Sequence, residues 1–96
     1  MEIKVLEIRK LQDKGKLKAN ASIEITLEGG TWVVNEWKII NRKARLFVVP
    51  PQTSWFDPVT QVRFFRDVIR VPLEVKAEIT KAIIGEYQKR EREATV

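Results

Sequence analysis

Leu17, Ala19, Ala21, Ile23, Ile25 and Leu27 are apolar at every second position, with Lys16, Lys18, Asn20, Ser22, Glu24 and Thr26 between them. A helix, with its period of 3.6, would scatter these six side chains around its circumference. A strand, with a period of 2, puts all six on one side. The alternation therefore demands a long strand with one buried and one wet face. Glu28-Gly29-Gly30 follows it and offers positive φ for a tight hairpin.

The remaining segments read as partners for that strand. Ile3, Leu6 and Ile8 alternate with charged residues, and the adjacent Val5 and Leu6 break the phase and predict a bulge. Gln12 to Gly15 supplies a turn. A third strand over residues 31–40 carries Trp32, Val33, Val34, Trp37, Ile39 and Ile40 on both faces, so it is central or meets a partner. After a turn at Asn41-Arg42-Lys43-Ala44, Leu46 to Val49 reads as a short buried strand, ended by Pro50-Pro51. Gln52 to Thr60 holds Trp55 and Phe56 without a period and reads as a loop of about ten residues. A fifth strand is expected over residues 62–71. Pro72 then opens a helix in which Val75, Ile79, Ala82, Ile83 and Tyr87 share one face. The fold class expected is α+β: a small antiparallel sheet of about five strands followed by one C-terminal amphipathic helix, dimeric. Residues 1–92 form one domain and residues 93–96 a frayed tail.

Composition narrows the chemistry. The 96 residues contain no Cys, which excludes disulfides, thiolate metal sites and a Cys nucleophile. They contain no His, the commonest general base and metal ligand. Gly-rich phosphate loops and recognisable carboxylate pairs are also missing, so the expectation is a protein that is not an enzyme and uses no cofactor, metal or small-molecule substrate. No apolar run approaches the ~20 residues of a membrane span. The first ten residues are charged throughout, unlike a signal peptide. Cytoplasmic residence without membrane partners is expected. The net charge of +5 favours anionic partners, nucleic acid first.

Two cation sets are candidates for phosphate contact. Lys38, Arg42, Lys43 and Arg45 place four positive charges within eight residues at a strand end and turn; the alternative is a solvated turn. Arg63, Arg66 and Arg70 lie on the expected fifth strand, with Arg63 opposite the other two. Arg66 has an alternative structural role, pairing with Asp67 or with a carboxylate across the sheet. Lys14, Lys16 and Lys18 read as guards against edge aggregation. Trp55 and Phe56 can stack on single-stranded bases or plug a partner subunit. Trp32 and Trp37 read as core or interface, and Trp37 is grouped with Trp55 and Phe56 at the expected dimer interface.

Five pieces in order carry a family resemblance. They are Val33-Val34-Asn35-Glu36-Trp37-Lys38-Ile39-Ile40, Leu46-Phe47-Val48-Val49 with its proline, Phe65-Arg66-Asp67-Val68, Ala82-Ile83-Ile84-Gly85-Glu86-Tyr87, and the N-terminal Ile8-Arg9-Lys10-Leu11 with its hairpin. Over about residues 2 to 88 they resemble the SpoVG (stage V sporulation protein G, septation protein) family. The resemblance implies a bacterial cytoplasmic regulator of sporulation, septation or gene expression. It also implies binding to DNA and RNA and a homodimer formed through the sheets. The alternative is a homodimer that docks a protein partner and binds no nucleic acid. The chain departs from the family pattern where Arg42 and Arg45 replace turn glycines, where Val71 replaces a His, and where uncharged Gln52-Thr53-Ser54 replaces a basic run.

Overall fold

In the computed structural model of the chain, which describes residues 1–11 and 15–94, the alternating stretch is the second of six strands. β1 (Glu2–Lys10), β2 (Leu17–Leu27), β3 (Gly30–Arg42) and β4 (Arg45–Val49) form an antiparallel sheet in the order β1-β2-β3-β4. β5 (Gln52–Asp57) and β6 (Val62–Asp67) form a separate two-stranded ribbon. Helix α1 (Leu73–Ala94) closes the fold. The architecture is α+β, as expected, with six strands in two sheets. Of the first expected turn, Gln12, Asp13 and Lys14 lie outside the described residues, as do Thr95 and Val96 of the expected tail.

Register explains what the apolar pattern left ambiguous. β1 slips by one residue between Val5 and Glu7, so Ile3, Val5 and Ile8 oppose Ile25, Ile23 and Ala21 on one face. Without the extra residue, Ile8 would point into water. β3 slips at the same level of β2: Val34 opposes Ile23, whereas Trp37 opposes Ala21. Glu36 takes up the extra residue with φ 67. Trp32, Val34, Trp37 and Ile39 thereby share a face, and much of the two-sided character of the third strand is a phase reset. β3 is central, flanked by β2 and β4.

The core lies between this face and α1. Ala19, Ala21, Ile23, Trp37, Ile39, Ile79 and Ile83 are essentially without exposed surface. The small side chain of Ala21 faces the large Trp37 across the strands. Ile79 and Ile83, one helical turn apart, are the two helix residues fully inside; Val75, Ile84 and Tyr87 pack at the margin. Each fully buried Ile contributes about 1.5–3 kcal/mol. The helix lies against β1 and β4, and Lys10 Nζ meets Glu91 Oε1 at 2.7 Å near its C-terminal end. The carbonyl of Pro72 accepts the first helical bond, from Lys76 N–H. The helix continues through Glu93 and Ala94, past the expected fraying point.

The ribbon is the largest departure from expectation. The expected loop at residues 52–60 is mostly strand β5. Aromatics on both faces had concealed its alternation. β6 ends at Asp67, so Arg70 lies on the connection to the helix and not on a strand. The ribbon contributes no residue to the core and stands off the body. The radius of gyration is accordingly 14.9 Å, against about 12–13 Å for a compact chain of this length.

Candidate functional site

The turn joining β3 and β4 is two residues long, with Lys43 at φ 52 and Ala44 at φ 63. Positive φ at both positions matches the right-handed twist of the flanking strands. It also forces Arg42 and Arg45 into direct opposition. Lys38 sits on the same face of β3, which is the face away from the helix. Ile40 and Phe47 form the cross-strand pair between the two cationic levels. Like charges directly opposite repel, and no Asp or Glu occurs between Glu36 and Asp57 to offset them. Among the described residues none of Lys38, Arg42, Lys43 and Arg45 is in an ion pair, whereas Arg9, Lys10 and Arg90 are.

Arg63 and Arg66 lie on the ribbon, on opposite faces. On one face the polar groups satisfy one another: Arg63 donates to Ser54 Oγ at 3.2 Å, and Gln52 Nε2 donates to Asp67 Oδ1 at 2.9 Å. Phe56 and Phe65 complete this face, 53% and 60% exposed. On the other face Trp55 stacks on Phe64, with centroids 5.5 Å apart and planes at 18°. Arg66 shares that face, opposite Thr53. Asp67 is bonded to Gln52, and Arg66 has no ion pair among the described residues, so the expected Arg66–Asp67 pairing is not formed. Trp55 and Phe56, expected to act together, point to opposite faces because they are neighbours on a strand.

The ribbon is pinned at both ends. At its tip Asp57 Oδ1 accepts the Val59 N–H at 2.9 Å, the Asp57 carbonyl accepts the Gln61 N–H, and Gln61 adopts φ 58. At its base Val68 N–H donates to the carbonyl of buried Pro51 at 2.7 Å. The seven candidate cations thus fall on three elements: four around the β3–β4 turn, two on the ribbon, and Arg70 on the connection to α1. The turn and the ribbon leave opposite ends of β4.

Of the two places expected for Trp37, core and dimer interface, the structure shows the core, which corrects its grouping with Trp55 and Phe56. It has no exposed surface, and its indole Nε1 finds no acceptor among the described residues. Two features escaped the sequence reading. One is an apolar groove of about 480 Å³ where Leu27, Trp32, Val33, Ile69, Val71 and Val75 converge at the start of the helix. The alternation of Ile69 and Val71 was the available signal. The other is Phe64 as the stacking partner of Trp55, which only the ribbon register reveals. Between the bulges of β1 and β3 lies a polar hollow of about 220 Å³. Arg9 and Glu36 meet there at 3.7 Å, and Asn20 Oδ1 is buried without a partner among the described residues. Among the described residues no helix is long and apolar enough to cross a membrane.

A four-stranded antiparallel meander backed by one helix, with a projecting aromatic ribbon and, among the described residues, a turn of cations outside any ion pair, defines a small α+β domain. The SpoVG family profile matches residues 1–89, and the chain belongs to that family. Three relatives carry the printed name "Putative septation protein SpoVG". The one from Clostridium kluyveri is 32% identical over 97 residues, covering all of this chain and 93% of the relative. The one from Clostridium perfringens is 33% identical, covering 93% of this chain and 91% of the relative. The one from Caldanaerobacter subterraneus is 30% identical, covering 93% and 90%.

Proposed function

We propose that this SpoVG-family chain is a non-enzymatic, cytoplasmic regulatory protein that binds DNA or RNA phosphates as a homodimer. The observation that carries the reading is the set of cations at the β3–β4 turn. Arg42 and Arg45 are held in mutual opposition, Lys43 is beside them, and none is in an ion pair among the described residues. A phosphate relieves their repulsion, and a guanidinium fork pairs with it in two bonds. The self-satisfied ribbon face, with Phe56 and Phe65 exposed, and the apolar groove are the surfaces that suit a second copy. Septation, the process in the relatives' printed name, is the cellular setting we carry over, with sporulation and transcription as its regulatory context.

The test is a binding titration against DNA and RNA at several salt concentrations. Phosphate contacts release counterions, so affinity should fall linearly in log salt. Arg42→Ala with Lys43→Ala should weaken all sequences alike and flatten the slope by about two, one for each lost phosphate contact. An unchanged slope removes the turn from the site. The groove favours a second reading, in which the dimer docks a protein partner; salt-insensitive binding, or no nucleic-acid binding at low salt, would move the assignment there.

A further inference from the structure

The two faces of the β5–β6 ribbon differ in a way that assigns them different occupants. On the Phe56 and Phe65 face, each polar side chain at the centre already has an internal partner. The opposite face presents two rings already stacked on each other, 49% and 41% exposed; on one side of them is the guanidinium of Arg66, in no ion pair among the described residues, and on the other Asp57, whose Oδ1 is taken up by the Val59 N–H of the tip. A ligand that matches this face is flat, aromatic and anionic. We propose that Trp55 and Phe64 form a stacking platform for the bases of single-stranded nucleic acid, with Arg66 on the adjoining phosphate. The proposal rests on the nucleic-acid reading above and narrows it from nucleic acid in general to unpaired strands.

The chemistry favours a nucleotide over a second copy on this face. Stacking is available to a base only when it is out of the duplex, and every base has a π-face, so such a platform tolerates sequence. The rings need no rearrangement, because the Trp55–Phe64 geometry is formed in the free chain and the register that sets it is pinned at tip and base. Preorganisation of this kind lowers the ordering cost of binding. A second copy would bring a further Arg66 towards the first, and like charges repel.

The experiment compares three fluorescently labelled probes of equal length by anisotropy: a single-stranded oligothymidylate, an abasic strand with the same phosphates, and a duplex. The parent protein should bind the oligothymidylate more tightly than the other two. Trp55→Ala should cost roughly tenfold on the oligothymidylate and little on the abasic strand. Trp55→Phe, which keeps a ring, should recover most of that loss. Arg66→Ala should weaken oligothymidylate and abasic strand together, with a salt slope lower by about one. Equal parent affinity for all three probes, with Trp55→Ala unchanged, overturns the stacking platform while leaving phosphate binding intact. Loss of self-association in Trp55→Ala by light scattering, without loss of base preference, overturns it in favour of a second copy on this face. No binding of any probe at low salt overturns the underlying nucleic-acid reading instead.

Discussion

Ala44 occupies a backbone conformation that suits glycine better. Its φ of 63 costs an L-residue with a Cβ about 1–2 kcal/mol. Glycine at this position would give back about 0.4–1 kcal/mol through the greater freedom of the unfolded chain. The strain term is the larger, so Ala44→Gly should stabilise the fold by about 0.5–1 kcal/mol. Thermal melts should show a rise of a few degrees. At Gly30, with φ 150, the sign reverses, since L side chains rarely adopt that conformation and a Cβ there is strained. The face assignment of the helix gives a second residue-scale expectation. Ile79 has no exposed surface, so Ile79→Ala should cost about 2–4 kcal/mol. Lys76, at the edge of the helix contact, should give a nearly neutral Lys76→Ala. Equal melting shifts for the two would mean that the helix is rotated from the position described.

Among the elements, the contact between β1 and the last turns of α1 carries a pH signature. Tyr87 is pushed above its ordinary 10.0, first by burial and then by the Glu91 carboxylate that its hydroxyl bonds, with Lys10 pulling the other way. A phenol raised in the folded state keeps its proton where the unfolded chain has lost it. Its contribution is therefore fully present below about pH 10 and is lost as pH rises through the folded value. Denaturant melts across that range should show stability declining with pH, and Tyr87→Phe should make the decline shallower. Element by element, legibility followed the simplicity of the periodicity. β2 and the core face of α1 were readable because each has one dry side. The β1 bulge was readable because Val5 and Leu6 are adjacent. The β3 bulge was not, because Asn35 and Glu36 separate two apolar pairs that look like opposite faces until the register is known. The ribbon was missed because Trp55, Phe56, Phe64 and Phe65 put rings on both sides, which erases alternation. The cationic turn was legible in composition; the opposition of Arg42 to Arg45 was not, because it depends on a two-residue turn that no glycine announces.

For the whole molecule, what matters is how much apolar surface one copy leaves uncovered. Phe56 and Phe65 are more than half exposed, and Trp32, Val33 and Leu27 border an open groove. A stable pair of chains needs about 800 Å² from each partner, and half-exposed aromatics supply on the order of 100 Å² each. The ribbon face and groove together supply on the order of half of that area, the apolar centre of an interface whose polar rim supplies the rest, whereas Trp37, wholly interior, adds nothing. Light scattering across a concentration series should give about twice the chain mass of 11.2 kDa. A stable monomer at micromolar concentration and moderate salt would exclude the pair.

The separation of the ribbon from the core also bears on how a chain of this kind can diverge. Nearly all of the sealed interior is supplied by the four-stranded sheet and the helix, and the ribbon is held by its own stack, its tip turn and one bond at its base. Substitutions at residues 52–67 therefore change what the molecule touches while leaving its ability to fold almost untouched. Selection can rewrite that segment independently of the rest, so two proteins with superimposable bodies can carry ribbons of different chemistry. In this chain the uncharged Gln52-Thr53-Ser54 stands where the family pattern has positive charge, and the ligand preference of a relative is best tested by exchanging the ribbon alone.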